Sequence, residues 1–165
     1  PKNAPLGSRA PIQTAAAQWL LDVSKKMSNG KVLVFDYCSK STTEIAVIQW
    51  REWLRTYKEH ERGVHYLLDP GSQDITTQVM VDQLVKAVPG LSVTQQSEWL
   101  HTMGIDELVS EGNKYWDEHK SAPDIYAMKM RSRANESTQL TNISTMGQYS
   151  VINFIINLPN GFLNS

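Results

Sequence analysis

A polar stretch at residues 54–77 holds the side chains of this chain that are best suited to chemistry. It follows an apolar run at residues 32–35 that ends in an acidic and an aromatic residue. Loops on a rigid scaffold are where binding and catalytic groups tend to occur. Ligands of open α/β sheets also bind beyond the carboxyl ends of strands. The candidate site residues are therefore Asp36, Tyr37, Arg55, Tyr57, His60, Asp74 and Thr76.

Each of these residues also has a purely structural explanation. The segment around Arg55, Tyr57 and His60 could be an ordered loop held by its own hydrogen bonds. Asp74 and Thr76 could cap a turn or a helix through side chain to backbone bonds, or they could orient Arg55 or His60. Asp36 and Tyr37 at the strand end could equally have a structural role. The residue types by themselves leave both explanations open.

Composition narrows the classes of partner. The chain has 165 residues, a length that suits one domain. Its 16 basic and 17 acidic residues give a net charge of -1, which predicts no basic face for nucleic acid. No apolar run approaches the roughly 20 residues that span a bilayer, so no membrane partner is predicted. The single cysteine, Cys38, excludes an internal disulfide and favours a reducing, cytoplasmic compartment.

The motifs of several enzyme classes are missing from the sequence. It contains no GxGxxG or GxxxxGK[ST] nucleotide motif, no GxSxG elbow and no HExxH or paired-cysteine pattern. The histidines are scattered, at His60, His65, His101 and His119, so no metal site is predicted. The chain by itself therefore shows no self-sufficient catalytic site.

The elements that must position the candidate residues alternate between helix and strand. Apolar spacing predicts a helix over residues 11–28, which starts at Pro11 and stops at Asn29-Gly30. The continuous apolar run at 31–37 predicts a strand covered on both faces, as in a parallel sheet. A second buried strand is predicted at 149–156. This pattern is typical of the second half of a βαβ crossover in an α/β fold.

Further helices are predicted between these strands. Asp82 is predicted to cap a helix through residue 88, Thr94 to start one that ends at Gly104 with Met103 on its buried side, and Pro123 to open another. The remaining predicted helices cover residues 42–53 and 105–120, and residues 55–79 are predicted as loop or short strands. Residues 1–10 are predicted as an irregular lead-in, 11–156 as one α/β domain and 157–165 as a flexible tail.

An ordered set of short motifs resembles one family of S-adenosylmethionine-dependent methyltransferases, the MidA-like family of the mitochondrial complex I assembly arginine methyltransferase. The matches are Asp36-Tyr37, Leu54-Arg55-Thr56-Tyr57 with His60, Pro70-Gly71, Asp74-Ile75-Thr76, Thr94-Gln95, Gly104-Ile105 and Met146-Gly147. The resemblance runs from about residue 9 to residue 154. It departs from the family at Cys38, where the family has glycine, and over residues 40–53, which do not align.

The resemblance implies a Rossmann-like class I methyltransferase fold, of which this chain corresponds to the C-terminal half. The family's glycine-rich cofactor motif and acidic ribose-binding residue lie upstream of Pro1. The resemblance therefore implies that S-adenosylmethionine is bound through that other half and that this chain is inactive alone. Cutting a sheet before residue 31 would expose an apolar strand edge, which predicts homo-oligomers.

The resemblance also implies a substrate and roles for the site residues. The substrate would be a protein, methylated on an arginine. His60 and Asp74 are the catalytic candidates, because an imidazole or a carboxylate can accept or orient the departing proton. The substrate-binding candidates are Asp36, Tyr37, Arg55, Tyr57 and Thr76. The alternative is a non-catalytic protein-interaction or assembly-factor domain that retains the fold.

Overall fold

The computed structural model describes residues 4–157; the first three residues of the predicted lead-in and residues 158–165 of the predicted tail lie outside this range. The helices are α1 (Thr14–Lys25), α2 (Thr42–Val47), α3 (Trp50–Trp53), α4 (Val81–Ala87), α5 (Gln96–Thr102), α6 (Ile105–His119) and α7 (Ile125–Thr141), with a 3-10 helix at Met146–Gln148. The strands are β1 (Asn29–Asp36), β2 (Cys38–Ser39), β3 (Arg55–Lys58), β4 (Glu61–Arg62), β5 (Asp74–Thr76), β6 (Val79–Met80), β7 (Ser92–Gln95) and β8 (Ser150–Asn157).

These elements form two compact units within the described residues. Unit 1 comprises residues 4–32, 36–92 and 153–157, and unit 2 comprises residues 33–35 and 93–152. Unit 1 has a small apolar core of Ile45, Trp53 and Met80, against which Trp50 and Leu54 pack. Every candidate site residue belongs to unit 1. Unit 2 is mainly helical. None of the helices within residues 4–157 is long and apolar enough to cross a bilayer.

The two predicted long strands are present. They belong to a three-stranded sheet of order β1-β8-β7, so β8, the last strand of the described residues, lies in the middle. Val151, Ile152 and Ile156 of β8 are buried, as predicted. The prediction that both faces of β1 are covered is wrong, because half-buried and exposed residues alternate along this strand and Phe35 is 46% exposed. β1 is an outer strand, with only β8 as its sheet neighbour in the described part of the chain.

The first helix is shorter than predicted. α1 begins at Thr14 rather than at Pro11, because the preceding backbone is tied to α4 instead of entering the helix. The Gln13 N–H donates to Gln83 Oε1, and Gln83 Nε2 donates to the Pro11 carbonyl, both at 2.8 Å. The Gln13 side chain also accepts from the Met80 N–H at 2.7 Å. These bonds join α1 and α4 to β6.

The predicted helix over residues 42–53 is two helices, because the backbone at Ile48 and Gln49 is extended. Asp82 does not cap α4 but lies in its first turn. Its carboxylate instead accepts hydrogen bonds from the N–H and hydroxyl of Thr42, each at 2.9 Å. Asp82 thus fastens the start of α2 to the start of α4.

Helix starts in unit 2 are also displaced from their predicted positions. Thr94 lies in β7, and α5 begins at Gln96, whose N–H donates to the Tyr149 carbonyl at 2.7 Å. Met103, predicted to be buried, is 56% exposed. The helix predicted to open at Pro123 begins at Ile125, because the Asp124 carboxylate caps it by accepting from the N–H of the third residue of the helix.

Candidate functional site

Four of the predicted site residues share one face of a small antiparallel sheet. The strand order of this sheet is β4-β3-β5, and its register pairs Arg55 with Thr76 and Tyr57 with Asp74. Side chains alternate between the faces of a strand, and register partners lie on the same face. The four residues therefore form one surface, the β3–β5 face. Thr56 points to the opposite side and is buried.

The third strand adds a cation to the β3–β5 face. Arg62 of β4 is the register partner of Tyr57, and its guanidinium carbon lies 5.5 Å from the centroid of the Tyr57 ring. A row of Arg62, Tyr57 and Asp74 thus crosses the three strands. Sequence reasoning missed Arg62, because the segment was not assigned a hairpin. A two-residue turn after Lys58 would have placed Arg62 opposite Tyr57.

His60 lies at the tip of this hairpin rather than on the β3–β5 face. It is the second residue of the turn between Lys58 and Glu61, which are register partners. Both turn residues have positive φ, 50° at Glu59 and 69° at His60. Two positive φ values match the tight turns that twist with the strands of a hairpin. Asp74 pairs instead with Tyr57, three residues before His60, and no hydrogen bond within the described residues joins the two catalytic candidates.

Asp36 and Tyr37 lie where β1 leads into β2. The Asp36 carboxylate accepts from the Tyr37 N–H at 2.7 Å, and the Tyr37 carbonyl accepts from the Val79 N–H at 2.8 Å. β2 then runs parallel to β6, with Cys38 in register with Val79. Cys38 does not have a positive φ, so the site of the family glycine needs no left-handed backbone in this chain.

The loop between β4 and β5 is held against the back of the small sheet. The Thr56 hydroxyl donates to the Val64 carbonyl at 2.7 Å, and the Gly63 N–H donates to the Thr56 carbonyl at 2.9 Å. Gln73 spans the loop by accepting from the Val64 N–H at 3.1 Å and donating to the Leu68 carbonyl at 2.9 Å. These contacts position Asp74, the next residue along the chain.

The β3–β5 face can bind polar and charged groups of a ligand. Arg55, Asp74 and Thr76 are exposed, and Tyr57 is half-buried. A carboxylate such as that of Asp74 can pair with a guanidinium through two parallel hydrogen bonds, and Arg55 can do the same with a carboxylate. Two cavities of unit 1, of about 240 and 220 Å³, are lined by other residues. The face is thus an open surface of alternating charge.

The family of this chain follows from a match over its first 97 residues. These residues match the model of a family described as "Putative S-adenosyl-L-methionine-dependent methyltransferase". The matched segment covers more than half of the chain and includes the whole β3–β5 face. The chain belongs to this family. No curated protein matches the chain.

Two crystal structures from Burkholderia thailandensis, both of one superfamily, have a similar fold. An uncharacterized protein is 22% identical, with a TM-score of 0.63 over 94% of this chain and 42% of its own length. A structure bound to S-adenosyl-homocysteine is 23% identical, with a TM-score of 0.61 over 90% of this chain and 38% of its own length. The predicted α/β fold of the methyltransferase class is confirmed. The chain spans less than half the length of either structure.

Proposed function

We propose that this chain is the substrate-side portion of an S-adenosylmethionine-dependent methyltransferase that acts on a protein arginine in the cytoplasm. The observation that carries the proposal is the register of β3 and β5, which collects Arg55, Tyr57, Asp74 and Thr76 on one face. The same residues carry the resemblance to the family of the complex I assembly arginine methyltransferase. Family membership supports methyl transfer as the reaction class. The resemblance to the arginine methyltransferase supports arginine as the substrate residue.

Asp74 is the proposed partner of the substrate guanidinium. Its carboxylate is exposed on the β3–β5 face, where it can accept two hydrogen bonds from a guanidinium and orient or accept a departing proton. Arg55, Tyr57 and Thr76 surround it and are proposed to bind the substrate backbone and polar side chains. Asp36 and Tyr37 keep their proposed substrate-binding role at the end of β1. His60 is proposed to act from the hairpin tip.

The described residues do not fit S-adenosylmethionine by themselves. Such a cofactor needs a glycine-rich turn that leads from a strand into a helix, so that backbone N–H groups can approach it closely. β1 ends instead in Asp36, and Tyr37 and Cys38 follow it without a glycine. The cofactor is therefore proposed to be held upstream of Pro1, as the resemblance implies, and this chain alone is expected to be inactive.

Calorimetric titration of S-adenosylmethionine into this chain and into the full-length parent protein tests the proposal. We expect binding to the parent and none to this chain. The parent should then transfer a labelled methyl group to an arginine of a protein substrate, identified by mass spectrometry of the product. A folded parent that binds no S-adenosylmethionine would contradict the proposal. Methylation of another residue type would contradict only the arginine assignment.

A second candidate function is a non-catalytic assembly or interaction domain. The exposure of Arg55, Asp74 and Thr76 favours it, because methyl transfer needs a dry site in which the reacting atoms are held about 3–3.5 Å apart. Affinity capture on the parent protein, combined with the methyl-transfer assay, separates the two candidates. A stable protein partner without any methyl transfer favours the interaction domain.

Self-association of this chain is proposed through the outer edge of β1. This strand has one sheet neighbour in the described part of the chain, and Leu33 and Phe35 on it are exposed. Unpaired strand edges with apolar side chains are templates for pairing with another chain. Light scattering should therefore report dimers or larger species. A monomer at high protein concentration would contradict this proposal without affecting the reaction class.

A further inference from the structure

An aromatic box lies apart from the β3–β5 face and is formed by Trp50, His65 and Tyr66. Trp50 is the first residue of α3, and the other two residues belong to the loop between β4 and β5. The His65 and Tyr66 rings are stacked, with centroids 4.6 Å apart. Trp50 meets both rings edge to face, at 5.2 Å from His65 and 5.4 Å from Tyr66. All three residues are half-buried, so the box is at the surface of unit 1.

The box holds the guanidinium of Arg9. The Arg9 Cζ lies 4.4 Å from the centroid of the Trp50 ring and 5.4 Å from that of Tyr66. Arg9 Nη1 also donates to the Tyr66 hydroxyl at 2.7 Å. Cations within about 6 Å of a ring face are attracted by its quadrupole. No ion pair within residues 4–157 involves Arg9, so the groups that stabilise its guanidinium are the aromatic rings and the phenol oxygen. Arg51 also lies close to the Trp50 ring, at 5.0 Å.

Arg9 belongs to a segment that packs loosely on this surface. Residues 4–10 contain no helix or strand, and Leu6 is fully exposed. Their one backbone hydrogen bond within the described chain is local, from the Ser8 N–H to the Pro5 carbonyl. Residues 5–8 and residues 47–51 line an open cavity of about 240 Å³. The contacts of Arg9 with Trp50 and Tyr66 are thus long-range attachments of this segment.

We propose that the aromatic box is a binding site for an arginine side chain of a partner polypeptide, and that Arg9 fills it from within the same chain. The chemistry selects arginine, because a planar and weakly hydrated guanidinium stacks on ring faces, whereas the lysine ammonium is compact and strongly hydrated. Val47 and Ile48 border the adjacent cavity and are exposed. An apolar residue near the partner's arginine therefore adds to recognition. The site is independent of methyl transfer.

A peptide supplied in trans tests the proposal on the full chain. The peptide carries residues 4–10 of the chain with blocked ends, and it is titrated into the Arg9→Ala variant. Binding is followed by NMR on the ring resonances of Trp50, His65 and Tyr66. We expect a millimolar Kd for the variant. The wild-type chain should bind about twofold more weakly or worse, because a tethered Arg9 competes at an effective concentration on the order of millimolar, similar to that Kd.

Matched peptides and variants identify what the box recognises. A peptide with alanine in place of the arginine should not bind Arg9→Ala, and one with lysine should bind several-fold more weakly. The Arg131→Ala variant removes an arginine that lies over the Trp116 ring of unit 2, at 4.7 Å, and should bind the peptide as the wild type does. Failure of a folded Arg9→Ala variant to bind the arginine peptide would overturn the proposal. Equal binding of the alanine peptide would overturn it too.

A second measurement covers the case in which Arg9→Ala does not fold. Circular dichroism checks the fold of the variant. If it is unfolded, N-acetyl-arginine amide is titrated into the wild-type chain, at concentrations up to about a hundred times the millimolar effective concentration of the tethered Arg9. Shifts of the Trp50 and Tyr66 rings that N-acetyl-lysine amide does not reproduce support the site. Equal shifts with both compounds, or none, reject it. Neither result depends on whether the parent protein transfers a methyl group.

Discussion

Tyr57 and Asp74 lie opposite each other across the antiparallel pair of β3 and β5, and Arg62 extends this row on the far side of Tyr57. The phenol and the carboxylate are thus held by strand register rather than by a flexible loop. Opposite residues of such a pair have Cβ atoms about 4.5–5.5 Å apart. A ligand on this face would meet both groups at once.

Replacement of Asp74 by asparagine is expected to lower the kcat of the parent enzyme by about a hundredfold or more, the range typical for loss of a positioned proton acceptor. Asp74 is exposed, so the free energy of unfolding should change by less than about 0.5 kcal/mol. Steady-state kinetics and urea unfolding measure the two quantities. Asp69→Asn is the control, because Asp69 is an exposed carboxylate that pairs with Lys58 at 3.7 Å outside the face. Equal rates for both variants would remove Asp74 from the mechanism.

The turn at Glu59 and His60 is expected to limit stability. Non-glycine residues with left-handed backbone are unfavourable by about 1 kcal/mol or more, and hairpin turns of this kind prefer Asn-Gly. The double variant Glu59→Asn, His60→Gly should therefore raise the free energy of unfolding by about 1 kcal/mol. Glu59→Ala, which keeps a side chain at the same φ, should give no gain. If His60 takes part in the reaction, the stabilised variant loses activity, and unchanged activity assigns His60 to the turn alone.

Removal of the buried hydroxyl of Thr56 is expected to lower the free energy of unfolding more than removal of the exposed hydroxyl of Thr76. Thr56→Val keeps the shape of the side chain but leaves the Val64 carbonyl without its donor. Loss of this hydrogen bond is expected to lower the free energy of unfolding by about 0.5–1.5 kcal/mol, because Val64 is 58% exposed and water can replace the donor. Thr76→Val on the exposed side of β5 should change it by less than about 0.5 kcal/mol. Chemical denaturation of both variants checks this, and similar losses would mean that the loop does not depend on Thr56.

Gly112 is expected to resist replacement because α6 and α7 approach closely at this residue. A Cβ atom there would lie 2.9 Å from the Met130 carbonyl oxygen, which is closer than van der Waals contact allows. Alanine favours a helix over glycine by about 1 kcal/mol, but overpacking typically costs about 1–3 kcal/mol. Gly112→Ala should thus lower the thermal midpoint of unfolding. The exposed Ser110→Ala on the same helix should not, and a midpoint raised by Gly112→Ala would show that the helices can separate without loss.

Asp22 on α1 is expected to make stability depend on pH in the acid range. The hydrogen bond from Lys25 and then that from Gln18 hold the pKa of the Asp22 carboxyl below its ordinary value of 3.8. A lowered folded-state pKa means stability that is present above the unfolded pKa and is lost as pH falls through the folded one. NMR titration should place the Asp22 midpoint below 3.8. Asp22→Asn should remove this part of the pH dependence, and an ordinary midpoint would contradict the role of Lys25.

Several elements could be predicted from local sequence, because local interactions determine them. The apolar run at residues 31–37 correctly indicated β1, and the break at Met146-Gly147 correctly indicated the start of β8. The predicted helix stop at Asn29-Gly30 is wrong, because α1 ends at Lys25 and these two residues begin β1. Helix starts were less predictable. Pro11 and Asp82 have suitable side chains for a helix start, but neither begins a helix. Pro11 accepts a hydrogen bond from Gln83, and Asp82 accepts one from Thr42, so both residues connect elements that are distant in sequence.

The sequence by itself determined which polar residues belong to the candidate site, since their types and order could be read directly. Only the tertiary structure decided that Arg55, Tyr57, Asp74 and Thr76 share a face, that Arg62 joins them and that His60 stands apart. The physical reason is that strand register depends on a two-residue turn and on the Thr56 and Gln73 contacts across a long loop. Such pairings are non-local, and a shift of one residue would move every side chain to the other face.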